Sequence, residues 1–135
     1  MKYLGLDLGT KTLGLAIGIN SIATPYKVLR YDNINNLIDE LIKIIDNESI
    51  DELVLGLPKN MNNSLGFASK RSLDFKELLE SRIDKKIHLV DERLSTKEAE
   101  DILISTDMSR QKRKDVIDSY AASIILETFL NSRKG

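Results

Sequence analysis

Several carboxylates in this sequence stand where ordinary packing does not want them. Asp7 interrupts the apolar run of residues 3–8, between Leu6 and Leu8. An unpartnered buried carboxylate is costly, so the position calls for a cation, a hydrogen-bond donor or a metal. The plainer alternative is a strand-end aspartate bonded to its own turn. Asp118 has Ala121, Ala122 and Ile125 at its i+3, i+4 and i+7 positions. That places it on a small, apolar helix face that should meet a sheet. A carboxylate complementing the helix dipole is the alternative, but Asp115 fills that role better. Asp91 and Glu92 follow the short apolar run Ile87–Val90. In open α/β sheets, ligands bind at the carboxyl ends of the strands. With strand 1 central and strands 4 and 5 beside it, Asp7 and Glu92 would share one sheet edge. Asp118 could then enter from the helix above. Three such carboxylates suit Mg²⁺ or Mn²⁺, which prefer oxygen ligands. Two ions about 3.5–4 Å apart would serve in-line phosphoryl transfer, one activating water and one stabilising the leaving oxygen.

Other residues are suited to phosphate. Thr10, Lys11 and Thr12 combine hydroxyls, an ammonium and turn amides, although a plain hairpin turn has the same composition. Arg110, Lys112, Arg113 and Lys114 put four cations into five residues just before Asp118. A solvated basic loop is the ordinary meaning of such a run. Its position beside a candidate carboxylate favours nucleic-acid backbone contact. Arg93 follows the Asp-Glu pair and either clamps phosphate or neutralises its neighbours. Tyr3, Tyr26, Tyr31, Phe67 and Phe75 form no stacking pattern and are assigned to the core.

The elements that must position these groups are legible as changes of period. Apolar runs at 3–8 and 13–19 flank the turn Gly9–Thr12, and residues 22–31 form a third strand in which Pro25 marks an edge or a bulge. Three short strands joined by tight turns imply an antiparallel meander. Ile34, Leu37, Ile38, Leu41, Ile42 and Ile45 then follow helical spacing, with Asn33 or Asp32 as the cap. Leu53–Leu57, ended by Pro58, has the continuous apolar character of a buried parallel strand. Residues 59–66 are an Asn-rich loop, and a helix is expected from about Gly66 to Arg82. The capping box Ser95-Thr96-Lys97-Glu98 should start another helix after the strand at 87–90. Residues 105–114 lack periodicity and are expected to be a mobile loop before a last helix from about Asp115 to Leu130. Strand–helix alternation after a meander means an α/β sheet of mixed direction with helices on both faces.

Composition narrows the chemistry further. The 135 residues fit one domain, and no cysteine is present to make disulfides, thiolate zinc sites or thiol nucleophiles. One histidine, His88, makes a Ser-His-Asp triad improbable. A net charge of −1 argues against a globally basic nucleic-acid-coating protein but leaves room for a local patch. No apolar run approaches the length of a membrane span, about 20 residues. Met1–Asp7 acquires charge too early for a signal peptide, so a cytoplasmic protein is expected.

Taken together, four motifs resemble a known family. They are Gly5-Leu6-Asp7-Leu8-Gly9 with Lys11, Gly14 and Ala16; Gly56-Leu57-Pro58-Lys59-Asn60-Met61; Asp91-Glu92-Arg93-Leu94-Ser95-Thr96 with Glu98-Ala99; and Asp118-Ser119-Tyr120-Ala121-Ala122. In this order, the chain looks like a member of the YqgF family of Holliday-junction resolvases, also called pre-16S rRNA nucleases. The resemblance spans nearly the whole chain and implies one RNase H-like domain over 1–135. The implied architecture is a five-stranded mixed sheet with its first three strands antiparallel. It also implies Mg²⁺- or Mn²⁺-dependent phosphodiester hydrolysis. By position, Asp7, Glu92 and Asp118 match the family's acids, and Lys11, Asn60 and Arg93 match positions lining its cleft. The preference for Glu92 over Asp91 as the metal-facing acid comes from the resemblance, not from spacing. Two departures stand out: Lys11-Thr12 replaces a common Lys-Arg, and Asn60-Met61-Asn62-Asn63 replaces a common Asn-Met-Asp-Gly. One phosphate contact and one loop carboxylate are thereby lost.

The expected function is maturation of the 5′ end of pre-16S rRNA, a substrate a pre-ribosome could present to a weakly acidic protein. A resolvase of four-way DNA junctions is the alternative, and its paired cuts would require a two-fold dimer where an rRNA nuclease could act as a monomer. A non-catalytic RNA-binding assembly factor is a reading of a different class, opposed by the intact acids. An actin-like or sugar-kinase ATPase, suggested by Asp-Leu-Gly-Thr-Lys-Thr, needs two lobes closing on ATP, which one short domain cannot supply.

Overall fold

A computed structural model describes residues 1–57, 67–91 and 110–132, with side chains described for 1–57, 70–90 and 120–132. The elements are β1 (Lys2–Leu8), β2 (Thr12–Ile19), β3 (Ile22–Arg30), α1 (Ile34–Asn47), β4 (Glu52–Leu57), α2 (Phe67–Glu80), β5 (Ile87–Asp91) and α3 (Arg110–Ser132). They form one five-stranded sheet in the order β3-β2-β1-β4-β5. β1, β2 and β3 pair antiparallel, whereas β1 with β4 and β4 with β5 pair parallel. The expected meander, the mixed sheet and the central position of strand 1 are all present.

Alternation along the strands separates two cores. Leu4, Leu6 and Leu8 of β1 join Leu13, Leu15, Leu53 and Leu55 beneath α1 and α2. Tyr3 of β1 joins Ala16 and Val54 beneath Ala122, Ile125, Leu126 and Phe129 of α3. A strand buried on both faces is largely apolar, as β4 is over Leu53–Leu57 and β1 is over Tyr3–Leu8 but for Asp7. In α1 the buried residues are Leu37, Ile38, Leu41, Ile44 and Ile45. Asn33 is its cap, its side chain accepting from the Asn35 N–H at 2.8 Å.

Pro25 lies on an edge strand and beside a bulge, so both of its expected meanings hold. The β2–β3 register steps from Leu15↔Lys27 to Ala16↔Pro25, leaving Tyr26 as the extra residue. That overturns the assignment of Tyr26 to the core. The bulge turns it outward, it is 38% exposed, and its hydroxyl donates to the Glu48 carboxylate at 3.2 Å. Tyr3 and Phe75 are buried as expected, Tyr31 is half-buried, and the Phe67 side chain lies outside the described residues.

The start of the last helix also differs from expectation. α3 begins at Arg110, so Arg110, Lys112, Arg113 and Lys114 occupy its first turns and not a loop. Arg, Lys and Gln are good helix formers. They showed no apolar period because periodicity reports burial and not helicity. The expected helix after Ser95 lies outside the described residues. Among the described residues, no helix is long and apolar enough to cross a membrane.

The β2–β3 hairpin turns through Asn20 and Ser21, with φ of 52° and 74°. Two consecutive left-handed residues are the signature of a type I′ turn, which favours Asn-Gly. Ser21→Gly is therefore expected to raise the thermal midpoint by about 2–3 °C, as removing roughly 1 kcal/mol of backbone strain would do. A melt followed by circular dichroism checks it, and an unchanged or lowered midpoint contradicts it.

Candidate active site

Asp7 is the penultimate residue of the central strand and is half-buried. By alternation it shares the α3 face of the sheet with Tyr3 and Gly5. It has an interaction partner within the chain, as a carboxylate in this position must. Its cross-strand neighbour in β2 is Gly14, so no side chain from that position crowds the carboxylate. β4 separates β1 from β5, so the carboxyl ends of these two strands lie about 10 Å apart, two strand spacings. Asp91, paired in register with Leu57, closes β5 at that end. Glu92, Arg93 and Asn60 lie outside the described residues.

The path of α3 is set by missing side chains. A Cβ on Gly5 would come within 2.9 Å of the Ala122 carbonyl oxygen and of the Leu126 Cβ. One on Gly18 would meet Leu126 Cδ2 at 2.8 Å. The helix therefore rests directly on backbone at β1 and β2. Further along α3, the Phe129 ring meets Tyr3 edge-on, with centroids 5.5 Å apart. Ala122 lies over Gly5 and Phe129 over Tyr3, so α3 runs opposite to β1. One helical turn before Ala122 is position 118, and two residues after Gly5 is Asp7. The Asp118 backbone thus belongs to the same end of the sheet as Asp7, and Ala121, Ala122 and Ile125 are all buried as its helix-face neighbours. The Asp118 side chain lies outside the described ones, as do those of Arg110, Lys112, Arg113 and Lys114. Among the described residues, no group of three or more acids or histidines forms a metal cluster.

The turn after Asp7 is braced more firmly than a plain hairpin. The Gly9 N–H donates to the Thr12 carbonyl at 2.8 Å, and the Tyr31 N–H donates to the Lys11 carbonyl at 3.0 Å. The Tyr31 hydroxyl donates to the Gly9 carbonyl at 2.6 Å. Burial pushes the Tyr31 hydroxyl pKa up, and the nearby Arg71 guanidinium pulls it partly back. Lys11 is exposed at the tip of this turn and Thr10 beside it. Tyr31 is the functional neighbour that sequence reasoning missed. Its contact spans 22 residues, and nothing local to it signals the bond. His88 is structural: its Nε2 lies 2.7 Å from Glu52 Oε1, and its ring packs 4.5 Å from that of Phe129.

The sequence matches the family model described as RuvX: Holliday junction resolvase over residues 1–132. The chain belongs to the RuvX family. A relative from Staphylococcus saprophyticus subsp. saprophyticus, named "Putative pre-16S rRNA nuclease", is 47% identical over 136 residues, covering 97% of this chain and 96% of its own. A relative from Staphylococcus aureus with the same name is 48% identical over 136 residues, with the same coverage. The RuvX chain also superposes on the structure titled "T. thermophilus RuvC in complex with Holliday junction substrate", with a TM-score of 0.64 at 13% identity, covering 100% of this chain and 96% of that one. For the fowlpox virus resolvase in complex with Holliday junction DNA, the TM-score is 0.56 at 13% identity, with 100% of both chains covered. This RuvX-family chain therefore has the RNase H-like fold.

Proposed function

We propose that the chain is a metal-dependent nuclease in which the whole of 1–135 acts as one domain, with Asp7, Glu92 and Asp118 as the metal-binding catalytic acids. The observation that carries the reading is the seating of α3 on Gly5, which assigns Asp7 and the backbone of Asp118 to one end of the sheet. Glu92 is preferred to Asp91 by resemblance to the family. The donor set fits a hard divalent cation, because carboxylate oxygens are the ligands Mg²⁺ and Mn²⁺ prefer. Bound there, the metal would polarise a phosphodiester and lower the pKa of water.

The chain's own residues do the rest. The sheet holds Asp7 near the end of the central strand, where Gly14 across from it adds no side chain. The Tyr31-braced turn presents Lys11 to the backbone of the substrate. Arg110, Lys112, Arg113 and Lys114 stack cations on the N-terminal end of α3, whose first turn carries no acid. Cations there oppose the helix dipole, an arrangement that favours a bound anion. Asn60 and Arg93 are assigned to the same cleft.

The substrate we assign is the 5′ end of pre-16S rRNA, presented in the cytoplasm by a pre-ribosome, following the names of the relatives at 47% and 48% identity. The deciding experiment offers the purified protein a labelled pre-16S 5′ segment and a four-way DNA junction, with Mg²⁺, with Mn²⁺ and with chelator. Metal-dependent cutting of the RNA supports the assignment. Preference for the junction transfers it to a resolvase, and binding of either without cutting transfers it to an assembly factor.

Neutralising Arg110, Lys112, Arg113 and Lys114 together is expected to weaken RNA binding and to flatten its dependence on salt by about 0.7 in logarithmic slope per lost phosphate contact. A slope equal to the parent's would remove these residues from the interface.

A further inference from the structure

A cleft of about 550 Å³ opens between the β3–α1 junction and α2, on the sheet face opposite Asp7 but at the same end. Its size is that of a small-ligand site. Its wall is apolar, built from Ile34, Phe75 and Leu78, with Tyr31 beside them. Lys70 and Arg71 stand together on its α2 side, and among the described residues neither has an ion-pair partner. Asp32 and Asp74 also reach it. An apolar wall, an aromatic ring, paired cations and separate carboxylate acceptors together fit a nucleotide. A base packs on the wall and ring, its phosphate meets the cations, and an exocyclic amino group finds a carboxylate. The cleft is tied to the turn that follows Asp7, because the hydroxyl of Tyr31, one of its lining residues, donates to the carbonyl of Gly9.

We propose that this cleft receives one unstacked nucleotide of the substrate strand, with the base against Tyr31, Phe75 and Leu78 and the phosphate on Lys70 and Arg71. The inference rests on the nuclease reading and adds a second point of hold, on the far side of the braced turn from the acids. The carboxylates favour adenine, cytosine or guanine over uracil, which lacks an amino group. Holding one base out of its stack fixes the register of the strand across the turn, and so fixes which phosphate lies at Asp7.

The test scans 2-aminopurine through a single-stranded RNA segment and measures its fluorescence and its affinity for the Asp7→Asn protein. One position, and not all, is expected to brighten as its base unstacks. Lys70→Ala with Arg71→Ala should dim that position and weaken binding about fivefold or more, the scale of one stacked base. Leu78→Phe, which fills the cleft and leaves every charge in place, should do the same in protein whose melt is unchanged. Lys70 is exposed, so its single variant keeps the test open if Leu78→Phe fails to fold. Uniform brightening, or a bright position unaffected by the Lys70 and Arg71 changes, overturns the proposal. Saturation by free AMP with no response from the strand also overturns it. Cleavage by the parent protein is scored separately. Normal cutting without a bright position rejects the cleft alone, whereas cutting that survives Asp7→Asn rejects the nuclease reading.

Discussion

Asp7→Asn is expected to lower metal-dependent cleavage by at least about a hundredfold, since even outer partners of a metal site cost 10–100-fold when removed. The substitution keeps the shape of the side chain and removes the charge that a divalent cation requires. Asp7 is only half-buried and faces Gly14, so the fold should tolerate it. A second measurement separates ligand loss from damage. Millimolar Mg²⁺ should raise the thermal midpoint of the parent, because a ligand that binds only the native state stabilises it. The midpoint of the variant should not respond. A folded variant that still cuts at the parental rate, or that still gains stability from Mg²⁺, would remove Asp7 from the metal site.

The second large effect belongs to Gly5. A Cβ there sits 2.9 Å from a helix carbonyl and 2.9 Å from the Leu126 Cβ, neither of which can rotate away. Gly5→Ala must therefore lift α3 as a body. Overpacking of this kind costs about 1–3 kcal/mol, so a fall of roughly 3–10 °C in thermal midpoint is expected. Gly18→Ala is the control. Its added Cβ would meet Leu126 Cδ2, Leu126 Cγ and Leu130 Cδ1, atoms of flexible side chains that can yield. Its cost should be clearly smaller. Activity should fall further for Gly5→Ala than stability alone explains, because the helix it displaces carries Asp118. Equal melting shifts for the two alanines, or full activity in folded Gly5→Ala, would contradict the proposed seating.

Much of this arrangement was legible in the residues. The cap was narrowed to Asn33 or Asp32, Pro25 marked an edge or a bulge, and the continuous apolar run at β4 announced burial on both faces. The small residues Ala121 and Ala122 announced a close helix approach, and the structure supplied the other half of that contact in Gly5 and Gly18. What stayed hidden was hidden for physical reasons. The bond from Tyr31 to Gly9 joins residues distant in sequence. The exposure of Tyr26 follows from a register step that no propensity encodes. The basic first turns of α3 bury no apolar stripe, so a search for amphipathic period passes over them. Of the proposed acids, only Asp7 has its side-chain environment described. For Asp118 the assignment rests on helix path and family, and for Glu92 on family.

The edge strand β3 carries one more consequence. A free sheet edge is a template on which a second chain can add a strand, and an exposed, regular one invites open-ended assembly. β3 is a poor template: Pro25 lacks an N–H, the extra residue Tyr26 breaks its regular pairing, and Lys27 adds charge beside the break. Continuous β-augmentation along this border is thereby discouraged. A two-fold pair cutting a junction symmetrically would therefore have to be built otherwise than by zipping two sheets together at β3.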